Sequence, residues 1–280
     1  MFMVTAGALA LVACKSTDTP SGDGATLPDG CSGSQDDLIS DFKTDNGLHA
    51  ADGRQGGWYT YHDPTLTGII TYDIDGAAGG PCSGPGSLHV TATGFADWGA
   101  ATGVDFKPRS TTDGGMTPKT PYDASRYRGV AFWIKATRPL EGVQVSFPDL
   151  YTDGDAPLHA MSDPSDPTNM CSDCRCIYNG SSWQNCSPYL VQFTKKGDGG
   201  AAVAFTKYMD VQIDTTWRRI EVLFADTRQD PGNTGYKSPG DKLTTDKVTA
   251  MALQVNANYD VTPKAARDFE IWLDDVAFIR

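Results

Sequence analysis

Gly129-Val130-Ala131-Phe132-Trp133-Ile134-Lys135 is the stretch on which the fold turns. Phe132 and Ile134 fall on one side of an extended chain, and Trp133 and Lys135 on the other. The run is short, rich in β-branched and aromatic residues, and opens on a glycine, which predicts a central strand. Gly142-Val143-Gln144-Val145-Ser146-Phe147 follows it as a neighbour. Outward in both directions lie further strand-length runs: Leu38 to Phe42, Gly57 to His62, Ile69 to Tyr72, Ser87 to Ala92, Trp217 to Phe224, Val248 to Asn256 and Phe269 to Ile279. No stretch sustains the three-and-four spacing of a long amphipathic helix. Helical turns are expected only near Tyr122 to Ser125 and after Phe224.

Composition agrees with this pattern. Only Glu141, Glu221 and Glu270 are glutamates, so nearly all the acid is Asp, which suits turns, whereas Glu prefers helices. The chain has 30 glycines and 17 prolines, again a loop-and-strand composition. Many scattered strands predict an all-β fold, a two-sheet antiparallel jelly-roll β-sandwich, rather than a parallel α/β fold.

A net charge of -12 argues against nucleic acid, because phosphate binding needs a surplus of Lys and Arg on some face. Residues 1–14 read as an export signal: an apolar stretch too short to span a bilayer, closing on Leu11-Val12-Ala13-Cys14. That ending resembles the bacterial lipobox, which implies a lipid anchor at Cys14 and a place in the cell envelope. No Lys or Arg precedes the apolar run, a departure from the usual signal. Residues 15–35 are polar and read as a flexible tether. The sandwich is expected over 36–280, with 151–188 as a Cys-rich loop insertion.

Six cysteines remain beyond Cys14: Cys31, Cys82, Cys171, Cys174, Cys176 and Cys186. An even number in an exported chain points to disulfides, and the later cluster also admits a zinc reading, although no His sits within it. The preferred pairing joins Cys31 to Cys82 and places two bridges inside the later cluster.

Leu38-Ile39-Ser40-Asp41-Phe42, Gly57-Trp58-Tyr59-Thr60-Tyr61 and Ile271-Trp272-Leu273-Asp274-Asp275-Val276-Ala277-Phe278 resemble carbohydrate-binding modules with the galactose-binding-like jelly roll. Tyr122-Asp123-Ala124-Ser125, Tyr127 and Gly129 to Trp133 fit the same pattern, so the resemblance runs from Asp36 to Arg280. It implies a non-catalytic, monomeric binder of polysaccharide or oligosaccharide. It also implies a structural calcium ion between the first and last strands, held by Asp41 and Asp275 with Asp45 as a third ligand. Lys43 departs from the pattern, since relatives often carry an acid there.

Sugar recognition needs flat apolar rings for the C–H faces of a pyranose and planar polar groups for its hydroxyls. Tyr59 and Tyr61 share one side of their strand. Gln254 and Asn256 lie opposite Met251, Leu253 and Val255. Trp98, flanked by small residues, is the expected loop platform; Trp133 is a second candidate and Arg126 a rim contact. Trp217 and Trp272 read as structural. A glycosidase would need two carboxylates across a groove, and Glu221 with Glu270 are the glutamates placed on strands. The histidines are dispersed, and no Gly-x-Ser-x-Gly elbow occurs. An adhesin or structural envelope protein, using the sandwich for protein contacts, stands as the other class.

Overall fold

The computed structural model describes residues 30–31, 37–43, 47–77, 79–82, 86–107, 111–112, 115–116, 119–153, 177–178, 183–184, 188–193, 208–209, 211–229, 242–257 and 266–280. Cys14, Asp45, Cys171, Cys174, Cys176 and Cys186 lie outside these, as do both the expected signal and most of the expected insertion.

The sandwich strands are β1 (Leu38–Ser40), β2 (Trp58–His62), β3 (Ile69–Ile74), β4 (Leu88–Thr93), β5 (Ala100–Asp105), β6 (Gly129–Ala136), β7 (Val143–Phe147), β8 (Tyr189–Phe193), β9 (Tyr208–Met209), β10 (Arg218–Leu223), β11 (Arg228–Gln229), β12 (Ala250–Val255) and β13 (Phe269–Ile279). Among the described residues, helix is confined to single 3-10 turns at Ala51–Gly53, Phe224–Asp226 and Thr245–Lys247. The first sheet runs β10-β6-β13-β4-β3, with β1 on the far part of β13, and every pairing is antiparallel. The second runs β9-β8-β7-β12-β5-β2, with β11 also on β8; only β8 and β9 are parallel. The expected all-β, two-sheet antiparallel sandwich is the fold.

Period-two alternation builds the interior. Val130, Phe132 and Ile134 of β6 face Val143, Val145 and Phe147 of β7 and Met251, Leu253 and Val255 of β12 within one core cluster. Each such large apolar side chain contributes about 1.5–3 kcal/mol when fully buried. Trp58 is also interior, at 2% exposure, and packs on Phe42 at 5.4 Å between ring centroids. Its indole N–H donates to Ser40 Oγ at 3.0 Å, and the Ser40 hydroxyl donates in turn to the Gly47 carbonyl, so no polar group is stranded there.

β13 changes phase along its length. Leu273 and Val276 both face the core, three residues apart, and the register with β6 shifts between Asp274 and Ala277. Asp275, at φ 45°, is the extra residue of this bulge. Beside it the Cys31–Cys82 disulfide, the bond expected from sequence, ties the entering chain to the segment before β4. The bridge joins positions 51 residues apart, a separation for which loop-closure entropy gives roughly 4 kcal/mol of stabilisation. The double variant Cys31→Ala/Cys82→Ala is expected to unfold at clearly lower denaturant concentration with an unchanged fold, the loss lying at about 2–4 kcal/mol. Denaturant titration followed by far-UV circular dichroism measures it, and an unmoved midpoint would contradict the assigned role.

Candidate functional site

The outer face of the second sheet brings together five residues singled out from sequence. Because Trp58 and Thr60 point inward, Tyr59 and Tyr61 point outward from β2. Their ring centroids stand 6.0 Å apart, and Tyr61 stands 5.8 Å from Trp98, with tilts of 40° and 42°, forming one row of three rings. Beside the row runs an amide ladder. Gln254 Nε2 donates to Asn256 Oδ1 at 2.6 Å and to the Trp98 carbonyl at 3.3 Å, and Asn256 Nδ2 donates to Gln144 Oε1 at 3.3 Å. The floor beneath is small: register places Tyr59 against Gly103, and Tyr61 and Gln254 against Ala101. The rings and amides are half-buried, and the glycine and alanine floor beneath them is fully covered.

Two carboxylates, one in a loop and one at a strand end, hold this surface. Asp63, with no exposed area, accepts the backbone N–H groups of Asp97 at 2.8 Å and Gly99 at 2.9 Å, the residues on either side of Trp98. It also accepts Thr65 N–H at 2.9 Å. Burial opposes the charge on Asp63, but the hydrogen bonds from Thr65, Gly99 and Asp97 outweigh it and hold its carboxyl below the usual range. At the other end of the row, Tyr59 donates to Asp105 Oδ1 at 2.9 Å. Burial, and then the Asp105 carboxylate, push the Tyr59 phenol above its ordinary value; burial and the charges of Asp105 and Asp153 do the same to Tyr61. Both tyrosines therefore stay uncharged donors. Sequence reading missed Asp63 and Asp105. The Asp63-Pro64-Thr65 turn was the one available signal for Asp63, since Asp commonly bonds the backbone two residues on.

Other expected members lie elsewhere. Trp133 is on β6, so it faces outward from the first sheet, on the opposite side of the sandwich. Its buried Nε1 has no hydrogen-bond partner among the described residues. Arg126 is paired with Asp52 and stacked 4.7 Å over Tyr127, in a hollow lined also by Lys107, Tyr122, Asp123 and Ser125. It is not a rim contact of the aromatic row. Alternation reveals which side of a strand a residue takes, not which sheet the strand joins, so it did not place Trp133 relative to Tyr61; Arg126 lies in the turn before β6, where alternation says nothing.

The outer face of the first sheet carries a different ladder. Lys135 Nζ lies 4.9 Å from Trp217 and 4.8 Å from Trp272, whose other side stacks on His89 at 4.6 Å and 7°. His89 contacts Asp73 at 3.0 Å and Glu270 at 2.9 Å. These rings are already covered, in keeping with the structural role read for Trp217 and Trp272. Glu221 is engaged by Arg219 and Glu270 by His89, on the sheet opposite the aromatic row, so they do not face one another across it.

The calcium ligands also fail to converge. Asp41 Oδ2 lies 3.1 Å from Lys43 Nζ and 3.5 Å from His49 Nε2. The Asp275 carboxylate instead lies within 4.8 Å of the Cys31 and Cys82 sulfurs, which the disulfide has consumed. Among the described residues no other group of three His, Cys, Asp or Glu ligand atoms comes so close. Burial first, then the nearby charges of Asp275 and Asp41, push Asp274 up to about 6, although N–H groups of Cys82 and Asp275 point at it. A cation shared by Asp41 and Asp275 does not fit this arrangement: one carboxylate is neutralised by Lys43 and the other is turned toward the disulfide.

The fold is an antiparallel β-sandwich that gathers three aromatic rings and three amides on the outer side of its second sheet. No family model matches the chain, and no curated protein matches its sequence. The arrangement is similar to solved carbohydrate-binding modules of Clostridium thermocellum. For the family 11 module of a cellulosomal cellulase, identity is 12% and TM-score 0.43, over 86% of this chain and 92% of that one. For a family 11 module in complex with a β-1,3-1,4-mixed-linked tetrasaccharide the values are 12% and 0.44, over 87% and 94%. An exo-β-agarase is similar at 9% identity and TM-score 0.38, over 86% of this chain and 24% of that one.

The Asp63 network yields an expectation of its own. Because its carboxyl is held below the unfolded value of 3.8, the stabilisation is fully present above that value and is lost as pH falls through the lower folded value. Asp63→Asn replaces an acceptor by an N–H₂ donor facing backbone N–H groups. It should cost about 2 kcal/mol at neutral pH and flatten the acid limb of the stability curve. Trp98 fluorescence should shift as the loop loosens; unfolding midpoints between pH 2 and 7 that match wild type would refute this.

Proposed function

We propose that the outer face of the second sheet holds a carbohydrate polymer without cleaving it. The observation that carries this reading is the row Tyr59–Tyr61–Trp98 lying alongside the Gln144–Asn256–Gln254 amides on the outer side of one sheet. Tilted rings spaced 6.0 and 5.8 Å apart offer successive apolar surfaces to the C–H faces of sugar rings. Each amide has two donor hydrogens and an acceptor oxygen, so the ladder retains capacity for hydroxyls after its internal bonds are made.

Binding rather than hydrolysis is supported by the carboxylates at the row. Asp105 and Asp153 both contact the Lys119 ammonium, at 2.9 and 3.2 Å. A general acid must hold a proton and a nucleophile must be free, and an ammonium bridging both carboxylates opposes each role. The remainder of the proposal is an envelope protein anchored through lipid on Cys14, which mass analysis of a membrane fraction would test.

A protein-contact reading draws on the exposed large hydrophobics among the described residues: Leu66 in the turn before β3, and Ile69 and Tyr72 on β3, the edge strand of the first sheet. Ile69→Lys would separate the two, abolishing protein contacts while leaving glycan retention intact.

Affinity electrophoresis in gels containing xylan, agarose or mixed-linkage β-glucan, with pull-down on cellulose, tests the main reading. At least one polymer should retard the wild type with no release of reducing ends. Trp98→Ala and Tyr61→Ala should each weaken retention about tenfold, near 1.4 kcal/mol, and Gln254→Ala somewhat less. Trp133→Ala should leave retention unchanged. Equal retention of the Trp98 and wild-type proteins would remove the row from the mechanism.

A further inference from the structure

Lys119 is a buried ammonium, its residue only 7% exposed, in the long connection between β5 and β6. Its Nζ reaches Asp105 Oδ1 at 2.9 Å and Asp153 Oδ2 at 3.2 Å. Asp105 is the last residue of β5 and the acceptor of the Tyr59 hydroxyl. Asp153 follows the turn after β7, where the N–H groups of Thr152 and Asp153 both donate to the Asp149 carbonyl. Asp153 also accepts the hydroxyl of Thr249, the residue immediately before β12. One ammonium thus joins the ends of three neighbouring strands to the phenol at the edge of the aromatic row.

Removing an ammonium from water costs several kcal/mol, and only close pairing offsets it. Two carboxylates brought to one point without a cation repel each other, and at least one must turn away or take up a proton. Lys119 therefore determines where the Asp105 carboxylate points. Asp105 in turn is the hydrogen-bond partner that orients the Tyr59 ring, whose centroid lies 6.0 Å from that of Tyr61.

We propose that Lys119 is a positioning residue for the aromatic row: by fixing Asp105 as the acceptor of the Tyr59 hydroxyl, it sets the tilt of the first ring and, through it, of the second. The proposal rests on the polysaccharide-binding reading for its functional consequence, but the coupling of Lys119 to the ring is independent of any ligand. Lys119→Met keeps the apolar stem and removes the charge. Lys119→Arg restores a cation able to reach two carboxylates.

The test uses the full chain and two readouts. Near-ultraviolet circular dichroism of wild type minus Tyr59→Phe defines the signal of the Tyr59 ring within its row. Lys119→Met should lose that same signal while its far-ultraviolet spectrum is retained, and Lys119→Arg should recover most of it. Affinity for whichever of the four polymers retards the wild type should fall about tenfold in Lys119→Met and return within about threefold in Lys119→Arg. If Lys119→Met does not fold, Asp153→Asn takes its place, because it removes one of the two carboxylates at the ammonium and should shift the Tyr59 signal in part. A Tyr59 signal unchanged in the folded variant overturns the proposal. Wild type retarded by none of the polymers would count against the binding reading alone, since the optical coupling is measured without ligand.

Discussion

Strand alternation is the constraint from which the rest follows. Every strand of the second sheet must give half its side chains to the core, and only the other half is free for anything else. On β5 and β12 that free half is almost featureless: Ala101 and Gly103 on one, Ala250 and Ala252 on the other. A methyl group at Gly103 would already lie 3.4 Å from Tyr59 Cζ and 3.2 Å from the Met251 carbonyl oxygen. The rings lie low across the sheet because nothing rises beneath them. Larger residues in the same alternation would still have formed a sandwich, but a surface without room for a row of rings.

Charge fixes the periphery of that surface. Asp63 gathers the backbone on either side of Trp98, and Lys119 gathers three strand ends near Tyr59. Arg54, fully buried, does comparable work inside. Its guanidinium donates to the carbonyls of Leu38 and His49 and to the Tyr122 hydroxyl, and it lies 5.6 and 5.5 Å from the Tyr122 and Phe278 rings. Burial outweighs the neighbouring guanidinium and pushes the Tyr122 phenol up to about 12. A buried charge is costly unless its hydrogen-bonding capacity is met, so each fixes the segments around it more sharply than an apolar side chain would.

The division between what was legible in the sequence and what was not follows the range of the interactions. Alternation within β2, β6, β7 and β12 is local, and it revealed the strands, the shared side of Tyr59 and Tyr61, and the amides opposite Met251 and Leu253. The small neighbours of Trp98 marked an accessible loop ring, which the structure sets beside Tyr61. Trp133 obeyed the same local rule and was misassigned, because membership of one sheet or the other is decided by pairing with β10 and β13, far away in sequence. Asp275 looked like a ligand facing Asp41, but an inserted residue in β13 turns it toward the disulfide. His89, one of the dispersed histidines, is fastened by Asp73, Glu270 and Trp272 from both neighbouring strands. Asp63 and Lys119 carry no periodic signature, since an isolated charge in a loop reads the same whether it is solvated or buried.

The position of the Cys31–Cys82 bond bears on how the molecule responds to tension. β1, only three residues long, pairs with β13 alone, and hydrogen bonds in so short a strand peel apart one after another when drawn from one end. A pull on the polypeptide ahead of Cys31 reaches this covalent link before it reaches β1, and passes to Cys82 and so toward β4, a strand flanked on both sides. The load then falls on several strands together rather than on the weakest one, so a sandwich dragged from its leading end while gripping something at its other face would hold its shape.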